Sequence, residues 1–174
     1  MTPTQKHNLI IMRHAKSDWS TSASSDFDRP LSRRGVRDAP RMAAWLADQE
    51  LVPDMIISSP ALRTKQTVLA VAEKLDIPEQ DIIWDGAIYE ASLDQLLQVL
   101  DKYSTAADSL LLVGHNPGLD YLVEYLSDRQ PEYRRGKLMT TAAVAVLDYG
   151  DNGISTREHS ARLAMLVRPK DINQ

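Results

Sequence analysis

Two arginines and two histidines stand at the ends of apolar runs. Arg13 and His14 follow NLIIM, Arg63 lies just beyond MIIS within SSPALRT, and His115 follows SLLLVG. Each guanidinium offers five donors in a rigid fork that suits several oxygens of one oxyanion, a phosphoryl group above all. A neutral imidazole beside them can attack phosphorus, forming a phosphoramidate and splitting one difficult transfer into two easier ones. The arginines and the second imidazole then stabilise charge on the equatorial oxygens as the transition state develops. The departing atom needs a proton, for which a carboxylic acid is suited. Glu90, in AIYEAS, is the first candidate, with Asp85 and Asp18 behind it, and the sequence leaves the choice open. The scheme needs no metal and no other cofactor. Of the four histidines, His7 and His159 fall outside ligand patterns, so a zinc cluster would have to be assembled from scattered residues.

These groups meet only if the chain brings the strand ends together, and the hydrophobic pattern implies that it does. Leu9–Met12, Met55–Ser58, Ile82–Ile83, Ser109–Val113, Thr141–Leu147 and Arg162–Val167 read as strands. Between them, helical spacing runs through Ser32–Glu50, where Val36, Ala39, Ala43 and Leu46 align despite Pro40, and through Ala61–Leu75, Ser92–Tyr103 and Leu119–Leu126. Alternating strands and helices predict a three-layer α/β/α structure around a mostly parallel sheet, and the last two strands, with no helix between them, an antiparallel edge. In open α/β sheets ligands collect outside the carboxyl ends of the strands, where all four residues fall.

Composition narrows the function classes. A chain of 174 residues with 43% hydrophobic content is long enough for one core, and the whole reads as a single domain with its core at about 8–168. Twenty basic and 24 acidic residues, interspersed, give a net charge of -4, which argues against nucleic acid as a partner. Without cysteine there are no disulfides and no thiolate chemistry. The apolar run in MTPTQKHNLIIM is too short for a signal peptide, and nothing approaches the ~20 apolar residues of a membrane-spanning helix, so a soluble, cytoplasmic protein without a membrane partner is expected. Oligomeric state is not legible.

In order along the chain, MRHAKSDW, RPLSRRG, SSPALRTKQT and VGHNPGLDYLVEYL resemble the histidine phosphatase superfamily, of phosphoglycerate mutase-like fold, in its small phosphohistidine phosphatase branch of the SixA type. The resemblance runs from Leu9 to the closing strands. It implies that His14 is the nucleophile and is transiently phosphorylated, that Arg13 and Arg63 grip the phosphoryl oxygens, that His115 completes the pocket, and that Glu90 is the nearest match to the family's proton donor. Ala15 stands where the superfamily's best-known pattern has glycine, which points to the small branch. The shortness of the chain leaves no room for a substantial cap, so the cleft should be open. An open cleft suits a phosphorylated protein, with phosphohistidine as the leading substrate; the alternatives are a small phosphorylated metabolite or a module that binds phosphoprotein without turnover.

Other residues take secondary readings. Lys16, Ser17, Trp19 and Asn116 are possible substrate or rim contacts, Asn116 reading first as a helix cap. Ser20–Ser25 (STSASS) is a polar loop that can border a site, and RPLSRRG shapes the rim beside Arg13. Arg33, Arg34 and Arg37 read as a solvated helix face. The 127–137 stretch, with Arg129, Arg134, Arg135 and Lys137, could accommodate an anionic substrate. Gly114 and Gly118 supply tight backbone geometry, there being no GxGxxG or GxxxxGK pattern.

Overall fold

The computed structural model describes residues 6–172. Its apolar runs form one six-stranded sheet of β1 (His7–Arg13), β2 (Met55–Ser58), β3 (Ile82–Trp84), β4 (Ser109–Gly114), β5 (Val144–Gly150) and β6 (Arg162–Val167). The order is β3-β2-β4-β1-β5-β6. The first four strands run parallel, and β5 and β6 form the antiparallel edge.

Side chains alternate across each strand, so a continuous apolar run feeds two cores. Leu9 and Ile11 of β1, with Ile57, Leu110, Leu112, Ala145 and Leu147, pack under α3 (Leu93–Tyr103) and α4 (Gly118–Leu126). On the opposite face Ile10 and Met12, with Ile56, Leu111, Val113, Val144 and Val146, pack under α1 (Arg33–Asp48) and α2 (Leu62–Lys74). Burying each large aliphatic side chain contributes on the order of 1.5–3 kcal/mol. The result is the mixed α/β architecture, helices on both faces, that the pattern predicts. No helix among the described residues is long and apolar enough to cross a membrane.

Local signals fix the helix starts. Ser32 Oγ accepts from the Gly35 amide at 3.2 Å and caps α1. At α3, Ser92 and Gln95 form a reciprocal capping box, with bonds of 3.3 and 2.9 Å. α1 continues through Pro40, which deprives the carbonyl of Val36 of its intrahelical donor, and both residues are exposed.

Two expectations about elements are corrected. Val36 is 61% exposed rather than inward, and Met42 joins Ala39, Ala43 and Leu46 in the buried stripe. The inward contact of the first turn is made by Gly35, whose close approach to Lys16 leaves Val36 outside the packed layer. The fifth strand begins at Val144, not Thr141, because Ala142 adopts a left-handed φ of 63° and turns the segment before it. That turn places residues 138–143 beside the site.

Candidate active site

A cleft of about 240 Å³ opens where β1, β2 and β4 end. Arg13 closes β1 and His14 follows it; Arg63 stands in the first turn of α2, just after β2; His115 directly follows β4. All four line the cleft, as do Glu90, Lys16, Ser17, Trp19 and Asn116. The structure thus brings together the four phosphate-site residues, the first donor candidate and the four rim residues read from the sequence, but not the other donor candidates, Asp85 and Asp18. Three further residues, Asp26, Arg29 and Thr141, stand among them.

The rings of His14 and His115 lie 5.2 Å apart, and each residue is 6% exposed. His14 Nδ1 is 2.7 Å from the carbonyl oxygen of Ala15. A carbonyl only accepts, so Nδ1 carries the proton and Nε2 keeps its lone pair. Ala15 is held in turn by its own amide, which donates to Thr67 Oγ1 at 3.0 Å. Burial lowers the His14 pKa to about 3, with His115, Arg13 and Arg63 adding repulsion against the hydrogen bond to Ala15, so the ring is neutral at physiological pH.

His115 is fixed from both edges. Its Nδ1 lies 3.4 Å from Arg63 Nη2 and its Nε2 lies 2.8 Å from Ser59 Oγ. Because a guanidinium cannot accept, Nδ1 is the acceptor and Nε2 donates to Ser59. Burial, then repulsion by Arg63, lowers this ring's pKa to about 3 as well.

Asp26 organises the arginines. Its Oδ1 accepts from Arg29 Nη2 at 2.8 Å and its Oδ2 from Arg63 Nη2 at 3.0 Å, while its carbonyl accepts from Arg63 Nη1 at 2.7 Å. The Tyr89 hydroxyl donates to Oδ2 at 2.6 Å. That bond first, then Arg29, hold the carboxyl well below the usual range. Arg29 also donates to Ser17 Oγ and stacks over Trp19, its guanidinium carbon 3.6 Å from the ring centroid. Trp19 is 73% exposed and forms the rim. Trp19 and Asp26, which flank the polar stretch 20–25, line the cleft while residues 20–25 do not, and the segment is closed by the Ser17–Leu31 bridge and by Asp18 N–H bonding to the Pro30 carbonyl at 2.8 Å.

The opposite wall is the turn before β5. The carbonyl of Met139 accepts from Arg13 Nη1 at 3.1 Å and from Asn116 Nδ2 at 2.7 Å. Asp120 holds that turn by accepting from the amides of Leu138 at 3.3 Å and Met139 at 2.7 Å. Asn116 Oδ1 accepts from the Asp120 amide at 3.2 Å, so it serves a first-turn amide of α4 from one residue before the N-cap, Pro117, as well as lining the cleft. Three Nε donors around the cleft, those of Arg13, Arg29 and Arg63, find no acceptor among the described residues. Unpaired buried donors are costly, and a wall of partly satisfied guanidiniums favours an anion.

The carboxyls separate by placement. Glu90 lines the cleft, exposed, on a left-handed φ of 52°. Asp85 instead accepts from the Ala87 amide at 2.9 Å and the Tyr103 hydroxyl at 2.8 Å, and Asp18 from the Ser20 amide and hydroxyl. Neither lines the cleft. Nothing local in the sequence marks Asp26 or Arg29 individually; the RPLSRRG motif, which begins at Arg29, is the one signal near them. Among the described residues no group of three or more His, Asp or Glu is placed to hold a metal ion.

Comparison with known proteins follows the same lines. The model of the histidine phosphatase superfamily, branch 1, matches residues 9–96. An uncharacterised chloroplast protein of Arabidopsis thaliana is 33% identical over 68% of this chain, the match spanning 58% of that protein's length. The phosphohistidine phosphatase SixA of Escherichia coli is 29% identical over 85% of this chain and 89% of its own. Among solved structures, a protein of Agrobacterium tumefaciens assigned as a phosphohistidine phosphatase SixA superposes with a TM-score of 0.76 at 28% identity, covering 94% of this chain and 98% of the other.

Proposed function

The chain belongs to the histidine phosphatase superfamily, as a hydrolase of its SixA-like branch, and from that premise we propose that it removes phosphoryl groups through a phosphohistidine at position 14, with protein phosphohistidine as substrate. The observation that carries the reading is the 2.7 Å approach of His14 Nδ1 to the Ala15 carbonyl oxygen: a carbonyl only accepts, so the buried imidazole holds its proton there and keeps Nε2 as a nucleophile in a cleft walled by guanidiniums.

In the first half-reaction Nε2 of His14 attacks phosphorus, a P–N bond forms, and the substrate's bond from phosphorus to its own nitrogen or oxygen breaks. Glu90 gives its proton to that departing atom. Arg13 and Arg63 hold the equatorial oxygens, and charge there raises the proton affinity of His115, which takes a proton from solvent at Nδ1, gives up the hydrogen bond it accepted from Arg63, and donates to an equatorial oxygen. In the second half-reaction Glu90 takes a proton from water, the oxygen attacks phosphorus, and the P–N bond to His14 breaks. Phosphate leaves and the ring is neutral again. Asp26 is unsuited to the acid role, since its neighbours keep it ionised. A phosphohistidine substrate is supported by the open rim at Trp19, which a protein side chain can approach, and by the likeness to the Escherichia coli enzyme.

Rapid-quench intact-mass analysis under basic conditions tests this, with a phosphohistidine-bearing protein and phenyl phosphate as separate substrates. A transient gain of one phosphoryl group, absent in His14→Ala, with repeated phosphate release and faster turnover of the phosphoprotein, is the expected result. Wild-type turnover by folded His14→Ala would overturn the covalent route. Preference for phenyl phosphate would overturn the substrate.

A further inference from the structure

A second cleft, of about 410 Å³, adjoins the first and is walled by Arg34, Arg134, Arg135, Lys137, Arg168 and Lys170, with Thr140 and Pro169 between them. No carboxylate lines it, although the chain as a whole carries a net charge of -4. Of the carboxylates around it, Asp171 pairs with Arg134 at 2.6 Å and accepts from the Arg168 amide at 2.9 Å, Asp38 pairs with Arg34 at 3.4 Å, and Glu132 and Asp120 attract Arg168 without lining the cleft. Arg135, Lys137 and Lys170 are exposed and make no ion pair within 4.0 Å among the described residues.

The back of the cleft is built rather than accidental. Arg168 is 6% exposed, and burial lowers its pKa, so the fold keeps a cation here against a desolvation cost. The two hydrogen bonds of its guanidinium both leave from Nη2, to the carbonyls of Glu132 at 3.2 Å and Leu138 at 3.0 Å. Its Nε finds no acceptor. A buried, partly unpaired guanidinium behind a ring of exposed cations is the arrangement that holds an oxyanion.

The 138–141 segment serves both clefts. Leu138 gives its carbonyl to Arg168 in one cleft, and Met139 gives its carbonyl to Arg13 in the other. Thr140 lines the basic cleft and Thr141 the catalytic one. On the other side Arg34 stands in the first turn of α1, whose cap Ser32 donates to the carbonyl of Lys16, itself a residue of the catalytic cleft.

We infer that this basic cleft binds a second anionic group, a phosphate or a carboxylate, of the same molecule whose phosphoryl group reaches His14. The inference deepens the phosphatase reading and rests on it. The shared chemistry has two sources: carboxylates beside the phosphorylated side chain of an acidic protein surface, or a second phosphate on a small molecule. In either case attraction is strongest at low salt, because the exposed cations are screened beyond about 10 Å at 0.1 M ionic strength.

Calorimetric binding to His14→Ala, which lacks the nucleophile, separates the two readings. The ligands are α,ω-alkanediol bisphosphates of increasing length against monophosphates of equal length, and phosphopeptides with acidic against neutral flanks. One bisphosphate length or the acidic peptide should bind at least about 10-fold more tightly than its control, and adding Lys137→Glu with Lys170→Glu should erase the advantage. Whichever ligand shows it identifies the source. Equal affinities in both ligand pairs, or an advantage that survives the charge reversal, would overturn the inference. Phenyl phosphate turnover, measured in the otherwise wild-type charge-reversed protein, should stay within about twofold; its absence in the wild type would count against the phosphatase reading instead, without touching the binding result.

Discussion

At the scale of residues, a carboxylate with a depressed pKa holds two guanidiniums at one cleft. Asp26 cannot serve as a proton donor while Tyr89, Arg29 and Arg63 all favour its ionised form, so its part is to aim Arg63 and Arg29. Asp26→Asn should lower kcat by about 10-fold, corresponding to ~1.4 kcal/mol, because Arg63 loses its alignment with the transition state. KM should hold or fall, since a negative charge that repels the incoming phosphoryl group has gone. Steady-state kinetics with phenyl phosphate read the split, and an unchanged kcat would remove Asp26 from the positioning role. Glu90→Gln should cost more with phenyl phosphate than with phosphohistidine, whose labile P–N bond asks less of an acid; equal losses in single-turnover rates would argue against Glu90 as donor. Arg13, His14, Arg63 and His115 were legible as a set because each directly follows, or nearly follows, a run that reads as a strand. Asp26 was not, since it lies in a polar loop and its meaning depends on Arg63, 37 residues away.

At the scale of elements, close backbone approaches set the cleft walls. A Cβ on Gly35 would lie 2.1 Å from the carbonyl oxygen of Lys16, and one on Gly118 would lie 2.3 Å from that of Ala91, next to Glu90. Neither glycine needs a left-handed φ; each is required by contact with another segment's backbone. Gly118→Ala must therefore shift α4 against the Glu90 segment, with an expected loss of about 1–3 kcal/mol from overpacking. Denaturant unfolding should show that loss, and kcat should fall with it. A stable variant with full activity would mean that the approach does not position Glu90. The order of strands and helices was readable from apolar runs and helical spacing, and so was the antiparallel edge. The start of β5 was not: TAAVAVL is apolar throughout, and only the turn at Ala142, fixed by Asp120 holding residues 138 and 139 from another element, decides where pairing begins. The approaches of Gly35 and Gly118 are equally invisible in one dimension.

At the scale of the whole molecule, the cost of keeping two imidazoles neutral beside three guanidiniums is charged to folding, and pH exposes it. In the unfolded chain His14 and His115 take up protons near their ordinary pKa of 6.5, whereas in the folded protein both stay neutral down to about 3. Between those values the unfolded state binds more protons, so acid favours unfolding. Stability is fully present above pH 6.5 and is lost as pH falls toward 3. Each such group contributes a slope of about 1.4 kcal/mol per pH unit within that window. Denaturant midpoints measured from pH 7 to 4 should fall steeply, and His14→Gln, which cannot titrate, should flatten the profile by about one proton's worth. The carboxylates do not mimic this signal above pH 5, because unfolded aspartates and glutamates take up protons below it; under pH 5 Asp26, held ionised in the folded protein, adds its own loss in the same direction. Bound phosphate reverses the balance, since its negative charge lets His115 accept a proton in the folded state. The acid limb should therefore shift to lower pH with saturating phosphate in the wild type and should not shift in Arg63→Ala, where the anion is held less well. A profile with no acid limb between 7 and 4 would mean that both rings are protonated in the folded protein, and with them the neutral nucleophile would go.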